Sequence, residues 1–277
     1  MAFLQINKVS TLLKLPSFLT GNFFVNYGYQ KDTPSPKDLS FSTSPLNTNT
    51  NVNEISIKQY FKDISNQYNV GSCVANATCD ACESQVVLKN NINPSQVPDL
   101  SRLFVYYNAR NLDTPPSVNT DGGSKIRFAF DSIRRYGVCK ETTWTYDTNK
   151  VNTQPSFLAY KESLQNKITA FYRIDTCGDE KFQQIKNALA QNHPIVFGIS
   201  ITDSFRRVNS DAVIRIPSNA SDPYIGSHAL CITGWSASRE AFEVRNSWSD
   251  SWGNKGYCYM HKDYIVGLSN DLWVPSI

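Results

Sequence analysis

A chain of 277 residues is long enough to form one large domain, or two sub-domains around a shared core. Its 27 lysines and arginines nearly balance its 24 aspartates and glutamates, and its two Arg-Arg pairs stand alone, so no nucleic-acid partner is expected. No apolar run approaches the 18 or so residues that a membrane-spanning helix needs, so no membrane span is expected.

The N-terminal part of the chain predicts an extension rather than folded core. Residues 1–21 are apolar in patches, but polar residues interrupt them and no small-residue cleavage site follows, which argues against a signal peptide. Residues 31–54 are rich in Ser, Thr, Asn and Pro, a composition typical of a linker or an extended arm. We therefore predict an N-terminal extension over residues 1–54 and a folded domain over residues 55–277.

The middle of the chain predicts helices. Apolar residues at helical spacing or helix-terminus signals mark four segments, which are residues 72–89, 101–110, 124–137 and 179–192. In the third segment, Ser124 is expected at the N-cap and Gly137 at the C-terminal end.

The last third of the chain predicts strands. Short β-rich segments separated by turn residues occupy residues 194–201, 228–235, 241–248 and 256–265. Helices followed by strands predict an α+β fold with a helical lobe over about 55–160 and a β-rich lobe over about 161–277. Ligand clefts often lie between two such halves.

The number and spacing of the cysteines predict thiols packed in the core rather than a framework of disulfides. Seven is an odd number in a chain too large to need disulfide staples, and together with the expected lack of a signal peptide this favours either an intracellular, cytoplasmic location or association with a virion. Cys79 and Cys82 lie on the apolar face of the first helix with no second pair after them, so core packing is favoured over metal or redox chemistry. The four others either hold one disulfide or, as we favour, stay free thiols; they are Cys139, Cys177, Cys231 and Cys258.

One cysteine stands where a nucleophile would be activated. Cys73 falls in the first turn of the first helix, where free N–H groups and the helix dipole favour a thiolate. The chain has three histidines from which a base can be drawn. His228 follows a turn of small residues and begins a strand, which suits an imidazole that projects into a cleft, whereas His193 and His261 are expected to be ordinary surface or turn residues.

The partners that such a pair needs are also present. Asn246 lies 18 residues after His228, at the end of the next strand, so one hairpin can place the two side by side and let the amide orient the imidazole. Trp248 can then cover their hydrogen bond and exclude water. Gln67 can supply a side-chain N–H to an oxyanion hole, together with the backbone N–H of Cys73.

These residues lie in motifs that resemble the papain-like (C1) cysteine peptidases. The motifs are NQYNVGSC, GSHALCITGW and RNSWSDSWGNKGYCYM, and the resemblance covers about residues 55–275 in the same order. Cys73 and His228 are 155 residues apart, close to the roughly 130–150 of that family. The form GSCVANA is similar to the branch found in bacteria and large viruses.

The resemblance implies a two-lobed fold and a cysteine endopeptidase that needs no metal and no organic cofactor. By this resemblance the four site residues are Gln67, Cys73, His228 and Asn246. It places Gly122 and Gly123 on the strip where the substrate backbone pairs with the enzyme. It also places Asp271 at the floor of the main specificity pocket, where a carboxylate would favour a basic substrate side chain.

Three positions depart from the family pattern. The family commonly has a cysteine where Val70 stands, a tryptophan where Val74 stands and a glycine where Ser249 stands. None of these changes removes a chemical group from the mechanism. The long propeptide helix of many family members has no counterpart in residues 1–54.

Two alternatives to a peptidase stay open at this point. The same acyl-thioester chemistry could serve a cysteine amidase or a transpeptidase, with a substrate that is not a protein. The domain could also be a structural component of a larger assembly such as a virion, with or without activity. Residues 1–54 are then either a propeptide, which would cross the cleft, or a docking arm for a protein partner, which would bind elsewhere.

Overall fold

The computed structural model describes residues 27–208, 213–216 and 222–277, and the expectations for residues 1–26 lie outside these ranges. Within them the α-helices are α1 Cys73–Asn90, α2 Arg102–Asn111, α3 Ile126–Tyr136, α4 Phe157–Ser163, α5 Gly178–Ala190, α6 Asp203–Arg206 and α7 Lys262–Leu268. The strands are β1 Tyr29–Gln30, β2 Leu39–Ser40, β3 Glu54–Ser56, β4 Ser124–Lys125, β5 Ala170–Arg173, β6 Ile195–Thr202, β7 Val213–Ile214, β8 Tyr224–Ser236, β9 Ala241–Arg245, β10 Tyr257–His261 and β11 Leu272–Ser276.

Helix α1 is the centre of the helical lobe. It contains neither Gly nor Pro, which favours a long helix, and 14 of its 18 residues are buried, so it is enclosed rather than amphipathic. It packs against α2, α3 and β8. Burial on all sides explains why small residues such as Ala75, Cys79 and Ala81 line it.

A buried network of charges ties α1 to both lobes. Asp80 accepts hydrogen bonds from Arg102 of α2 and from Arg245 of β9, each at 2.8 Å. Glu83 pairs with the same Arg102 guanidinium at 2.6 Å. Because every charge has a partner, the network can lie inside the protein, and removal of a single member would leave a buried charge unpaired.

The β-rich lobe is built on one large sheet. Its neighbouring strands run in the order β2, β5, β11, β6, β8, β9, β10 and β7, and β3 pairs with the far end of β8. Strands β6 and β8 are antiparallel, with Ile199 opposite His228, and β8 is antiparallel to β9, with Cys231 opposite Arg245. All five residues of β9 are buried because both faces of the sheet are covered there.

Three predicted boundaries were wrong. The third helix begins at Ile126, with Lys125 at its N-cap, because Ser124 is extended and its N–H bonds to the carbonyl of Gly28. The last predicted strand ends at His261 and helix α7 follows, with the His261 imidazole accepting the N–H of Asp263. Strand β8 begins at Tyr224, so His228 lies within the strand rather than at its start.

Residues 27–54, which the sequence assigns to the extension, lie along the folded domain. Strand β1 pairs with β4, β2 pairs with β5, and β3 pairs with β8. Phe41 is completely buried in the core. The chain therefore runs from the region of β4 across the large sheet before the first long helix begins.

Candidate active site

The candidate nucleophile, base and orienting amide come together at the junction of α1 and β8. Cys73 is the first residue of α1, and its Sγ accepts the backbone N–H of Ala229 at 3.4 Å. The next residue back in β8, His228, has its Nε2 2.8 Å from Oδ1 of Asn246. The antiparallel pairing of β8 with β9 brings Asn246, which directly follows β9, beside His228.

Trp248 covers this hydrogen bond. Its ring stacks on the His228 imidazole with centroids 4.7 Å apart and an interplanar angle of 28°. Phe205 packs edge-on against both rings. His228 is fully buried and Asn246 is 2% exposed, so the hydrogen bond lies in a medium of low dielectric constant that strengthens it.

Gln67 is held next to these residues by Ser247, which the sequence analysis missed. The Ser247 hydroxyl donates to Oε1 of Gln67 at 2.8 Å, and the Gln67 backbone N–H donates to the Ser247 carbonyl at 2.9 Å. The Ser247 N–H in turn donates to Oδ1 of Asn246 at 2.8 Å. The Gln67 Nε2 donates to the carbonyl of Val70 at 3.0 Å. Ser247 therefore connects the orienting amide to the candidate oxyanion hole.

Tyrosine and aspartate side chains from distant segments fix the loop before Cys73. Tyr146 donates its hydroxyl to the Gln67 carbonyl at 2.9 Å and lies 2.6 Å from the Ser72 hydroxyl. Asp121 accepts the backbone N–H of Gly71 at 3.0 Å. These contacts were also missed, since they join residues 50 or more positions apart and leave no local pattern in the sequence.

Residues 27–32, which we call the N-terminal segment, cover the site. The Tyr27 ring centroid is 5.8 Å from that of His228 and 5.6 Å from that of Trp248. Cys73, at the bottom of this arrangement, is completely buried.

The Gly122–Gly123 strip pairs with the same segment. Gln30 donates its side-chain N–H to the Gly122 carbonyl at 2.8 Å, and Ser124 donates its N–H to the Gly28 carbonyl at 2.8 Å. Gly123 has φ +88°, and a Cβ there would lie 2.1 Å from the Gly28 oxygen. Only glycine allows this close approach of two backbones.

Asp271 lies under the segment as well, and it is fully buried. Its Oδ2 accepts the Tyr29 hydroxyl at 2.5 Å and the backbone N–H of Asp32 at 2.7 Å. Its Oδ1 accepts Nη2 of Arg173 at 2.7 Å. The carboxylate therefore has a permanent cationic partner on the domain itself, which the sequence analysis did not foresee.

Comparison with known proteins identifies the family. Residues 48–275 match the family described as papain family cysteine protease. The chain belongs to this family. The predicted family, the two-lobed α+β fold and the assignment as a cysteine peptidase are thereby confirmed.

Three of the proteins that match cover nine tenths or more of this chain. An uncharacterized peptidase C1-like protein of Acanthamoeba polyphaga mimivirus is 32% identical over 274 residues, which is 90% of this chain and 86% of the relative. The crystal structure of xylellain, a cysteine protease from Xylella fastidiosa, superposes with a TM-score of 0.78 at 28% identity, over 94% of this chain and 99% of xylellain. Digestive procathepsin L 3 of Tenebrio molitor shares the fold, with a TM-score of 0.67 at 19% identity over 92% of this chain and 77% of that one.

Burial sets the protonation state of this papain-family site. It raises the pKa of the Cys73 thiol to about 12, although the N–H groups of Ala229 and Val74 lower it. It lowers the pKa of His228 to about 4, although the Asn246 hydrogen bond and the Tyr27 carbonyl raise it. In the covered site the pair is therefore a neutral thiol and a neutral imidazole at pH 7. The ion pair that a helix N-terminus favours requires access of water to the site.

The remaining sequence features have structural roles. Each of the seven cysteines is a free thiol, and Cys79 and Cys82 are buried in the core. His193 contacts the carbonyl of Pro275 at 3.2 Å, and the buried His261 caps α7. No helix among the described residues is long and apolar enough to cross a membrane.

Proposed function

We propose that this papain-family protease hydrolyses peptide bonds through Cys73, His228, Asn246 and Gln67. The observation that carries the proposal is the convergence of the Cys73 thiol on a histidine whose Nε2 is fixed by Asn246. That bond leaves Nδ1, which has no partner of hydrogen-bond geometry among the described residues, as the nitrogen that exchanges a proton with the thiol. Residues from both lobes are needed, as in other two-part nucleophilic sites.

The first half of the reaction forms an acyl-enzyme. His228 takes the thiol proton, and the Cys73 sulfur adds to the carbonyl carbon of the scissile bond. The negative oxygen of the tetrahedral intermediate accepts hydrogen bonds from the Cys73 backbone N–H and the Gln67 side-chain amide. The Cys73 N–H suits this role because the first N–H groups of a helix have no partner within it. His228 then protonates the leaving amine as the C–N bond breaks.

The second half releases the acid. Water gives a proton to His228 and adds to the thioester carbon, and collapse of the second tetrahedral intermediate expels the Cys73 sulfur. Asn246 keeps the imidazole in one tautomer and one rotation throughout, since its Oδ1 accepts the Nε2 proton at 2.8 Å. Trp248 shields that bond from water.

We further propose that residues 27–32 act as an inhibitory segment of the same chain. Their contacts support a propeptide-like role over a docking arm: Tyr27 packs on the candidate base, Gly28 pairs with the candidate substrate strip, and Tyr29 fills the region above Asp271. The covered pair is neutral at pH 7, as described above, so the thiol is also chemically silent until the segment leaves.

Thiol labelling tests both proposals on the full-length chain. An epoxysuccinyl inhibitor, read by intact mass and site mapping, should add once and only to Cys73, slowly in the intact chain and faster after limited proteolysis within the segment. Cleavage of a peptide substrate should rise in parallel. The peptidase proposal is wrong if another cysteine is labelled, or if labelled and unlabelled protein cleave peptides equally well. The inhibitory proposal is wrong if removal of the segment leaves the labelling rate unchanged.

A further inference from the structure

The side chain of Tyr29 fills a pocket made by a glycine in the middle of a strand. Gly198 belongs to β6, and a Cβ at this position would lie 1.9 Å from the Tyr29 ring. Glycine inside a strand weakens the strand and marks the close approach of another group, which here is the ring. Tyr29 is 7% exposed, so the pocket encloses nearly the whole side chain. The fit is that of a planar ring against a bare backbone.

Two arginines neutralise the base of this pocket. Arg173 pairs with Asp271 at 2.7 Å and with Asp38 at 3.0 Å, and Arg127 pairs with Asp38 at 2.6 Å. Both guanidinium groups lie over the Trp273 ring, 5.5 and 5.6 Å from its centroid. The group formed by these two arginines and two carboxylates has no net charge. Asp32, which the segment itself brings, would leave with the segment.

A lysine or arginine in the pocket would meet an unfavourable field. Its cation would reach Asp271 only beside the Arg173 guanidinium, which already holds the other carboxylate oxygen. The cation would lose its hydration without gaining an unpaired anion, and burial of a charge is costly without such a partner. The expectation that Asp271 favours a basic substrate side chain takes no account of Arg173.

A phenolic hydroxyl, in contrast, finds a hydrogen-bond acceptor in this pocket. Oδ2 of Asp271 points to the pocket and accepts the Tyr29 hydroxyl at 2.5 Å. Among the described residues its other donor is the Asp32 N–H, which belongs to the segment. Without the segment, a buried carboxylate oxygen would lack a donor unless the ligand supplied one. Sites built around such an acceptor discriminate strongly against analogues that lack the hydroxyl.

We propose that the Tyr29 pocket is a substrate subsite that selects a tyrosine side chain over lysine, arginine and phenylalanine. The residues that determine this choice are Gly198, which makes room for the ring, Asp271, which accepts the hydroxyl, and Arg173, which removes the demand for a cation. The role in substrate selection rests on the peptidase function proposed above. Tyr29 acts as an internal occupant of the subsite while the segment is in place.

The first test uses Tyr29 itself as the ligand and does not require turnover. Full-length Tyr29→Phe, Tyr29→Lys and Tyr29→Ala chains are treated with iodoacetamide, and the rate of alkylation of Cys73 reports how often the segment leaves. Tyr29→Phe should be labelled about tenfold faster than the unmodified chain, as expected for loss of one hydrogen bond to a charged group. Tyr29→Lys should be labelled at least as fast as Tyr29→Ala. Tyr60→Phe is the matched control, because the Tyr60 hydroxyl makes no hydrogen bond within the described residues.

Either of two results would overturn the pocket assignment. A Tyr29→Lys chain labelled as slowly as the unmodified chain would mean that the pocket accepts a cation. Equal rates for all three variants and the unmodified chain would mean that Tyr29 does not hold the segment. Both readings depend only on the reactivity of a thiol, so they stand even where the peptidase proposal fails.

The second test offers the competing side chains to the pocket on added peptide reagents. The Tyr29→Ala full-length chain is treated with epoxysuccinyl peptides that differ only in carrying Tyr, Phe or Arg. The Tyr reagent should react about tenfold faster than the Phe reagent and about a hundredfold faster than the Arg reagent. Arg173→Gln, combined with Tyr29→Ala, should move the preference toward the Arg reagent, and Asp271→Asn should bring the Tyr and Phe rates together.

Equal rates for Tyr and Arg in the Tyr29→Ala chain would refute the proposal. Absence of reaction with every peptide reagent, where iodoacetamide still labels Cys73, would refute the subsite and leave the inhibitory contact intact.

Discussion

The two ends of the N-terminal segment are held by different kinds of interaction. At the Cys73 end the contact is mostly aromatic, with Tyr27 packed on His228 and Trp248. At the Asp271 end it is made of short hydrogen bonds from Tyr29 and from the Asp32 backbone to one buried carboxylate. Under the inhibitory role proposed above, the first contact would silence the chemistry, and the second attaches the segment through polar groups. Changes at one end should therefore alter catalysis, and changes at the other should alter release.

The largest effect is expected from Cys73→Ala. It removes the proposed nucleophile, so peptide turnover and epoxysuccinyl labelling should both be lost, whereas the Asp271 end should stay attached because it shares no hydrogen bond with the thiol. Peptide assays measure the first effect, and amide hydrogen exchange over residues 27–32 measures the second. Cys177→Ser, at an exposed cysteine, is the control and should retain turnover. Residual turnover in Cys73→Ala near that of this control would refute the assignment.

His228→Ala should lower turnover by several orders of magnitude, as in other sites that lose their general base. The segment should also be released more often, because Tyr27 loses the ring against which it packs edge-on. Steady-state kinetics after removal of the segment isolates the chemical effect. His193→Gln is the control and should stay active, because the only contact of the His193 ring nitrogens within the described residues is with the backbone carbonyl of Pro275. Comparable rates for the two variants would contradict the role of His228.

The Asp271 end should respond to pH through Asp32. Burial and the neighbouring Asp271 charge raise the pKa of Asp32 to about 7, against lowering by Trp273 and Arg127. After release the carboxyl returns to an ordinary pKa near 4. Attachment is therefore fully stabilised below about pH 4 and is weakened as the pH rises through about 7. The segment should open toward neutral pH.

Asp32→Asn isolates this effect because an amide does not titrate. The ratio of the Cys73 alkylation rates of the unmodified and Asp32→Asn chains cancels the ionisation of the thiol. It should increase at least about tenfold between pH 4.5 and pH 7 and level off above. A ratio that is constant over this range would show that Asp32 does not control release.

The smallest effect is expected at the catalytic end, from Ser247→Ala. Loss of the hydroxyl frees Oε1 of Gln67, so the oxyanion hole should become less well ordered and kcat should fall about threefold to tenfold with little change in KM. Ser249→Gly is a matched control two residues away. Ser249 has φ +65°, which glycine adopts without strain, so that variant should keep its activity. A rise in KM with kcat unchanged for Ser247→Ala would contradict a role in the transition state.

The sequence could indicate the candidate site because each member lies in a short motif. Cys73 opens a helix, His228 lies in one strand and Asn246 directly follows the next, and Gln67 precedes Cys73 by six residues. The segment contacts could not be found in this way. Tyr29 and Asp271 are 242 positions apart, and nothing in the sequence around either residue predicts a contact with the other.

The prediction of secondary structure was wrong where pairing with distant parts of the chain outweighs the local preference of the residues. Ser124 is a good helix N-cap by type, but strand β1 arrives from the N-terminus and holds it extended. Residues 31–54 have the composition of a mobile linker, yet Phe41 and the pairing of β2 with β5 attach them to the domain. A single buried aromatic residue and a few ladder hydrogen bonds are enough to override composition over such a short length.

The ring of Tyr29 against the bare backbone of Gly198 also constrains how this chain can diverge. A side chain at position 198 would expel the ring, and a smaller residue at position 29 would leave a hollow beside the glycine. Mutations at the two positions are therefore tolerated mainly as compensating pairs, although 168 residues separate them along the chain. Under the proposed subsite role, each such pair of mutations would change both the inhibitory contact of Tyr29 and the substrate preference of the subsite. Self-inhibition and substrate specificity would therefore change together as this protease diverges.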